Sequence, residues 1–402
     1  MKSYVSLLRT PGVARIIAAQ LTARFPNGML SLAFLLHVER IHDSYGAAGL
    51  VLAATSVGQA IAGPLTSRWM GVWGMRRVIS LTLAVSAVCI FSIALIPMSV
   101  AAYMIVGFIG GLSMPPIQPA VRTIYPKMVN SRQLTPLFSL DASAQEIIWV
   151  AGPVLTTFVA LQISTSLAII IAGVFLVFGG IWFISSPEVG RVRIPRSKRA
   201  LGTVLRRPPV VLAALTGFLL VGAAASIEVG VVAVFGHGGP EAGLILAIWA
   251  IGSLVAGLSL GHVPIGPWAL ARRMFIVFLG MALAMAGLNF WWLALSLFIA
   301  GIGIAPALAV IFAIVSSSVK FSDTAEAYGW VGTAQLIGAA LGSAIAGFLI
   351  DGNGAIGAFW VATTFAALGF IVPTVMRRWH PDLRGRDASP IPDTEPIPTQ
   401  PS

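Results

Sequence analysis

The sequence predicts an all-α integral membrane protein with twelve transmembrane helices. Hydrophobic residues make up 57% of the 402 residues and charged residues only 10%, and the mean hydropathy is +0.91. A water-soluble domain of this composition would expose large apolar patches. Runs long enough to cross about 30 Å of hydrocarbon recur along the chain. They are continuous, unlike the alternating strands of about 10 residues in a membrane β-barrel.

The predicted spans fall into two sets of six, bounded by glycine, proline or charge. The first run contains Arg15 and Arg24 and is followed by no small-residue cleavage site, so it is interpreted as a retained span and not as a signal peptide. The first set covers residues 13–38, 46–66, 78–98, 101–125, 137–161 and 164–186. The second set covers residues 209–234, 241–261, 274–291, 293–317, 325–350 and 355–376.

The distribution of lysine and arginine predicts the orientation. Cationic segments are retained on the cytoplasmic side of a membrane. With the N-terminus inside, all but three of the 25 lysines and arginines lie in cytoplasmic segments; Arg24 and Arg122 fall inside spans and only Arg40 is external. We therefore expect both termini in the cytoplasm. Because the basic residues lie beside spans and form no single soluble face, no nucleic-acid partner is expected.

The chain divides near its middle. Residues 1–187 are predicted to form an N-terminal six-helix half and residues 209–378 a C-terminal one. Between them, residues 188–208 form a cytoplasmic central loop with seven lysines and arginines and helix-breaking prolines. The last segment, residues 379–402, is rich in proline, aspartate, threonine and serine, so we predict a disordered cytoplasmic tail.

An internal repeat relates the two halves. Ala48–Gly63 reads AGLVLAATSVGQAIAG, and Ala242–Gly257, 194 residues later, reads AGLILAIWAIGSLVAG. Eight of the sixteen positions are identical, several of them glycine. Both segments lie in spans that run from outside to inside, so the halves are predicted to be parallel repeats related by an axis along the membrane normal.

Two six-helix halves in parallel repeat, a basic central loop and short connections elsewhere resemble the major facilitator superfamily over residues 10–378. The loop after the second span carries most of that family's signature of a glycine, an acid, a base, a glycine and a basic pair. The matching residues are Gly63, Arg68, Gly74, Arg76 and Arg77. Ser67 stands where the family has the acid. The resemblance implies that Arg68, Arg76 and Arg77 help to hold the two halves together on the cytoplasmic side, here without the usual carboxylate.

The fifth span contains a second family motif. Gly152 and Pro153 resemble the Gly-Pro signature of the antiporter branches, although Thr156 and Thr157 replace the glycine pair that follows it there. A Gly-Pro pair in a span is also explained as a kink that neighbouring helices accommodate. Both interpretations stay open.

Two further segments, Pro115–Arg122 and Glu326–Trp330, resemble a branch of bacterial major facilitator proteins whose substrates the resemblance does not supply. This implies a bacterial inner membrane as the location. Many proton-coupled exporters of the family carry an arginine in the outer half of the fourth span, whereas Arg122 lies near the cytoplasmic end.

Five charged side chains stand out inside the predicted spans, where an isolated ion costs several kcal/mol. They are Arg24 in span 1, Arg122 in span 4, Asp141 and Glu146 in span 5, and Glu228 in span 7. In the family, spans 1, 4, 7 and 10 line the central cavity. Arg24 is therefore a candidate to bind an anionic group or to pair with Glu146, and a buried structural ion pair is the alternative. Glu228 has no cationic partner in its span and is interpreted either as a proton carrier or as a carboxylate solvated at a wet outer cavity wall.

The two acids of span 5 are expected to have different roles. Asp141 and Glu146 are five residues apart, which places them about 140° apart around a helix, so they cannot share one proton. We expect Asp141 to contact Arg122 or the loop arginines as part of a cytoplasmic latch. Glu326 begins span 11, where the helix dipole favours a carboxylate, so its structural role is preferred over a gating role.

We predict a monomeric secondary transporter that moves a small solute across the lipid bilayer by alternating access. The first candidates for contact with substrate or ion are Arg24, Glu146 and Glu228. Proton-coupled export of a drug or metabolite, as an antiporter, is the first choice. Proton-coupled uptake is the alternative within this class. A non-transporting sensor or scaffold is the other alternative, since Ser67 replaces a key acid.

Enzymatic classes find no support in the residues. No paired His and Glu, no Ser-Lys or Ser-His pair and no facing aspartates are visible in the spans. No Walker-type phosphate-binding sequence is present. Cys89 is the only cysteine, and the histidines lack metal-ligand spacing. We therefore expect no enzyme activity, no cofactor and no metal site.

Overall fold

The computed structural model of the chain describes residues 2–197, 199–235, 241–261, 263–386 and 388–393. The N-terminal part comprises α1 (Lys2–Arg9), α2 (Val13–Arg24), α3 (Leu30–His42), α4 (Tyr45–Trp73), α5 (Met75–Leu95), α6 (Val100–Leu112), α7 (Ile117–Met128), α8 (Ser131–Gln162) and α9 (Thr165–Ser185). After the short α10 (Pro187–Arg191), the C-terminal part comprises α11 (Pro208–Phe235), α12 (Glu241–Leu260), α13 (Ala269–Ala284), α14 (Phe290–Ser318), α15 (Phe321–Asn353) and α16 (Ile356–Val375).

Capping side chains explain where several helices begin. A polar side chain directly before the helix accepts a hydrogen bond from a backbone N–H of the first turn, which would otherwise have no partner. The capping residues are Ser44, Ser99, Asn130, Ser164 and Asn289. Between α4 and α5 the chain turns at Gly74, whose φ of 88° is a conformation that favours glycine. This conformation accounts for the second glycine of the loop motif.

Ten helical segments in the described part of the chain are long and apolar enough to cross a membrane, one of them joined from α6 and α7. The other two predicted spans are the first and the ninth. The ninth corresponds to α13, which has only 16 residues. For these two segments, spanning the membrane stays a prediction.

The first span is broken, so the prediction of one continuous helix over residues 13–38 is wrong. Helix α2 ends at Arg24, a 3-10 turn covers Phe25–Gly28, and α3 starts at Leu30. Pro26 has no backbone N–H for the helical ladder. Gly28 lies against the carbonyl of Ile148 in α8, with no room for a side chain. The break therefore lets α8 approach the first span closely.

Corresponding helices pack alike in the two halves. Helix α4 packs on α6 as α12 packs on α14, and α5 packs on α9 as α13 packs on α16. The repeated glycines also have matching positions: Gly58 abuts the backbone of α6 and Gly252 that of α14. Gly63 abuts α15 and Gly257 abuts α8, each across the contact between halves. The helices of the two halves are thus arranged as parallel repeats, as the sequence predicts, while the count of six spans in each half stays a prediction.

We call the end of the bundle formed by residues 73–75, 128–131, 186–197, 199–207, 260–261, 263–269 and 318–321 the basic end, because these connections and the helix ends beside them carry most of the lysines and arginines. The halves meet through α4 with α15 and through α8 with α12 and α14. On the face of α4 that meets α15, Ala60 and Gly63 are in contact with the other half. Ser56, Ala53 and Gly49 continue this face towards the opposite end and are exposed. The halves are therefore closed together at the basic end and separated at the opposite end.

The tail is packed as far as it is described. Leu383 N–H donates to the Ile265 carbonyl at 2.9 Å, and Ile391 N–H donates to the Val319 carbonyl at 2.9 Å. His380 and Ala388 are buried. The predicted disorder is therefore wrong over the described residues between 379 and 393, because backbone pairing and apolar burial hold this segment in place. Residues 394–402 lie outside the described residues.

Candidate functional site

A network of buried polar side chains links α2, α7 and α8 within the N-terminal half. Asp141, which is 0% exposed, is its centre. Its Oδ2 accepts from Arg122 Nε at 3.0 Å. Its Oδ1 accepts from Gln20 Nε2 at 3.0 Å and from the Tyr125 hydroxyl at 3.1 Å. Arg24 Nη1 lies 3.5 Å from the same Oδ1. Two arginines thus share one carboxylate.

Arg24 lies at the last position of α2, directly before the break, and its side chain is 4% exposed. It donates to Gln20 Oε1 at 2.7 Å and also to Gln145 Oε1. The structure therefore pairs Arg24 with Asp141 and not with Glu146. The guanidinium is enclosed by protein groups, which is the geometry of the buried ion pair that the sequence left as an alternative.

Arg122 connects this network to the other half. Its guanidinium carbon lies 3.3 Å from the centroid of the Phe312 ring in α14. A desolvated cation over an aromatic face is stabilising by about 2 kcal/mol. Phe138 of α8 and Tyr328 of α15 approach the same ring edge-on, each with centroids 6.4 Å away. The predicted contact between Arg122 and Asp141 is present, and through Phe312 it supports the closed basic end.

Glu146 has different surroundings from Asp141, as the helical spacing predicts. It is half-buried, and its Oε1 accepts from the Ser253 hydroxyl of α12 at 2.8 Å. Ser253 in turn accepts from the Ala305 N–H at 3.1 Å. Glu146 therefore lies at the contact between halves with a neutral partner and no basic one.

Glu228 of α11 is exposed and makes no ion pair or hydrogen bond with any described residue. It lies within electrostatic range of Glu146. Since α8 belongs to the N-terminal half and α11 to the C-terminal half, the two carboxylates belong to different halves.

A second ionic contact closes the basic end. Arg68 Nη1 lies 2.8 Å from Glu326 Oε2, and Glu326 Oε1 accepts from the Gly202 N–H at 2.7 Å. Arg68 also donates to the carbonyl of Arg199, whose side chain lies 3.9 Å from Asp323. Helix α4, the central connection and the start of α15 are thus held together. Glu326 thus supplies the carboxylate of an ionic contact between the two halves.

The remaining loop arginines do not reach the other half. Arg76 donates to the Ser186 carbonyl at 3.3 Å within its own half. Arg77 is exposed and forms no hydrogen bond or ion pair in the described part of the chain. Ser67, at the position of the missing acid, is buried, and its hydroxyl has no hydrogen-bond partner among the described residues.

The Gly-Pro pair of α8 lies against the break in the first span. A Cβ on Gly152 would stand 2.8 Å from the carbonyl carbon of Gly28. Pro153 follows inside α8, and the helix continues to Gln162. The observed contact is one of close backbone packing, which accounts for the glycine without a ligand.

Sequence reasoning missed most of the uncharged members of these contacts. Its one available signal was that an amide in an apolar span needs a hydrogen-bond partner. The missed residues are Gln20, Tyr125, Gln145, Ser253 and Phe312. Among the residues that the structure describes, no cluster of three or more His, Cys, Asp or Glu side chains could hold a metal ion.

Comparisons with known proteins agree with this architecture. A family model described as Major Facilitator Superfamily matches residues 16–290 and 235–399. No curated protein sequence matches the chain.

Solved transporters share the fold at low sequence identity. The crystal structure of the human organic anion transporter MFSD10 (TETRAN) has a TM-score of 0.69 at 17% identity, covering 90% of this chain and 100% of that one. A bacterial homologue of the iron transporter ferroportin in an outward-facing state has a TM-score of 0.71 at 11% identity, covering 90% and 98%. The same homologue with soaked iron has a TM-score of 0.72 at 12% identity over the same shares.

Proposed function

The chain belongs to the Major Facilitator Superfamily, and we propose that it exports a small solute in exchange for protons by alternating access. The observation that carries this proposal is the position of Glu146 and Glu228. They lie on opposite halves, within electrostatic range of each other, and have no basic partner among the described residues. An unpaired charge at this depth costs several kcal/mol. Each carboxylate is therefore favoured when it holds a proton or a cationic group.

The charge distribution supports an orientation with the basic end in the cytoplasm of a bacterial inner membrane. In this orientation the space between halves opens to the outside, and protons reach the two carboxylates from there. Breaking the contacts of Arg68 with Glu326 and of Arg122 with Phe312 opens the other side. The same carboxylates then release protons to the cytoplasm and take up solute, and one site that holds either a proton or a solute gives antiport.

Flux in proteoliposomes tests the proposal. Vesicles are loaded with a panel of dyes, antibiotics and metabolites, and a pH gradient of either sign is imposed. We expect solute to leave the compartment that faces the basic end when protons flow into that compartment. Glu228→Gln is expected to abolish this coupling while the protein stays folded. Glu39→Gln removes the same charge from a residue without any ion pair or hydrogen bond in the described chain, and it is the matched control.

The other outcomes identify the alternatives. Movement in the same direction as the protons would establish uptake instead of export. Unchanged coupling in Glu228→Gln would remove that residue from the mechanism. Silence across the panel, with protein shown to be folded, would favour a sensor or scaffold.

A further inference from the structure

We infer that the transported solute carries a positive charge on an apolar body, an inference that rests on the proposed function and names its substrate class. The first step is the sign of the charge that a solute meets. Glu146 lies at the contact between the halves, where it accepts from Ser253, and Glu228 is exposed on the C-terminal half, close enough for the two carboxylates to repel each other. A cation placed between them interacts favourably with both carboxylates, whereas an anion is repelled by both.

The arginines of the described spans do not offset this charge. Arg24 and Arg122 are 4% and 1% exposed and are engaged with Asp141. Arg273, near the start of α13, is 8% exposed and donates to the Pro306 carbonyl at 2.8 Å. The buried basic groups are therefore enclosed by their own partners, and the accessible charge of the site is negative.

The walls beside the two carboxylates are apolar. On α11, one turn from Glu228, the side chains are Ala224, Ala225 and Val232, all partly exposed. One turn from Glu146 on α8, Val150 is partly exposed. A small cation with a strong hydration shell finds few oxygen ligands here, whereas an organic cation satisfies both the charge and the apolar wall.

Two probes of the same shape and opposite charge test this inference. Equilibrium binding of tetraphenylphosphonium and of tetraphenylborate is measured on the detergent-solubilised protein, without any gradient. We expect saturable binding of the phosphonium and none of the borate. Glu146→Gln and Glu228→Gln should each raise the phosphonium Kd at least about tenfold, since each removes one of two charges. Glu39→Gln should leave the Kd unchanged.

The result is independent of the flux assay. Saturable borate binding, or phosphonium binding that neither substitution weakens, would overturn the inference even if flux is observed. Phosphonium binding that needs both carboxylates, without flux in vesicles, would support the inferred charge of the bound compound and reject the transport proposal.

A separate set of contacts carries a second inference: we propose that residues 380–386 and 388–393, which we call the tail clasp, hold the basic end closed. The backbone of Ile391 forms two hydrogen bonds where α14 connects to α15, one on each side of Lys320. Its N–H donates to the Val319 carbonyl at 2.9 Å, and its carbonyl accepts from the Phe321 N–H at 3.1 Å. Asp393 accepts from the Ser322 N–H at 3.3 Å.

The bonded connection directly precedes the residues that contact the N-terminal half. Asp323 and Glu326 lie in the next turns of α15, with Arg199 and Arg68 as partners. The ring of Phe321 itself lies 4.7 Å from the Lys127 ammonium of α7. The hydrogen bond at Phe321 therefore holds in place the first turns of α15, which contact the N-terminal half.

The first part of the tail clasp anchors the segment to the C-terminal half. The Leu383 N–H donates to the Ile265 carbonyl of the α12–α13 connection, and Arg377, which precedes the tail clasp, lies over the Trp268 ring at 5.0 Å. Burial lowers the pKa of His380, so this side chain is packed in its neutral form. The tail clasp thus links the α12–α13 and α14–α15 connections of the C-terminal half to the contacts of Asp323 and Glu326 that close the basic end.

Cysteine labelling measures the closure. In a Cys89→Ala background, Ser67→Cys places a thiol in the contact between α4 and α15; the serine hydroxyl has no hydrogen-bond partner among the described residues, so the change removes none. Ile391→Pro removes the N–H donor of the clasp. We expect this variant, and a chain ending at Arg378, to raise the maleimide labelling rate at least about fivefold. A chain ending at Asp393 keeps the clasp and should label like the full chain.

Thermal unfolding and gel filtration establish that each variant is folded. Labelling rates in the folded Ile391→Pro and Arg378-ending variants that equal the rate of the full chain would overturn the proposal. If the shortened chain does not fold, the point substitution alone decides.

Discussion

At the scale of single residues, the stability of the buried network depends on one carboxylate. Asp141 accepts from Arg122, Gln20 and Tyr125 and lies 3.5 Å from Arg24. Without its charge, two guanidinium groups would remain in a site that excludes water. Removing one partner of a buried ion pair costs about 3–5 kcal/mol, because the other charge is left uncompensated.

We therefore predict unequal effects for two substitutions in this network. Asp141→Asn should destabilise the protein by about 3–5 kcal/mol. Arg24→Gln should cost less than half as much, since Arg122 still pairs with Asp141 and one excess cation is gone. The midpoint of thermal unfolding in detergent, followed by tryptophan fluorescence, measures both. Equal midpoints for Asp141→Asn and the native chain would show that the network does not stabilise the fold.

The sequence identified the charged members of this network and missed the uncharged ones for a physical reason. Each ion in a span is expensive, so Arg24, Arg122 and Asp141 stand out from composition alone. The choice of partner depends on how the helices are rotated, which hydropathy does not report. Arg24 was therefore a candidate partner of Glu146, and the contact of Arg122 with Phe312 had no signal at all.

At the scale of helices, the break in the first span was missed because the apolar run continues through it. Phe25–Gly28 contains the proline and glycine that interrupt a helix, yet both residues also occur in intact spans. The internal repeat was predictable because its glycines are fixed by backbone approach. Gly63 and Gly257 abut the opposite half at equivalent places.

The same backbone approach predicts which glycines tolerate a methyl group. Gly28→Ala and Gly152→Ala each force atoms into the backbone of the facing element, so each should destabilise the protein by about 1–3 kcal/mol. Gly49→Ala is the control, because nothing lies within 4 Å of the added carbon. Its helix propensity should make it neutral or stabilising by up to about 1 kcal/mol.

Thermal unfolding of the three variants side by side checks this prediction. If Gly152→Ala unfolds at the same temperature as Gly49→Ala, the close packing of α8 on the break would be disproved. The result also bears on the Gly-Pro motif, since a packing role requires the small residue whatever the direction of transport.

At the scale of the whole molecule, the two halves are joined by small contacts concentrated at one end. At Gly63 and Gly257 the helices of the two halves approach closely, and Arg122 packs over Phe312 between them. The ionic contact of Arg68 with Glu326 adds a polar link at that end. These are the contacts that the proposed change to a second arrangement has to break.

The last prediction concerns the strength of the link between Arg68 and Glu326. Arg68→Gln leaves the buried Glu326 without its cation, so the basic end should open more often. A loss of about 1.4 kcal/mol corresponds to a tenfold change in population, and we expect Ser67→Cys in the Cys89→Ala background to be labelled about tenfold faster. Glu326→Gln should have a similar effect, and the double variant should add little, because both substitutions break one interaction. Arg77→Gln removes the same charge from a residue without a contact in the described chain and should not change labelling. Fully additive effects of Arg68→Gln and Glu326→Gln would show that the two side chains act independently and that the contact does not hold the halves together.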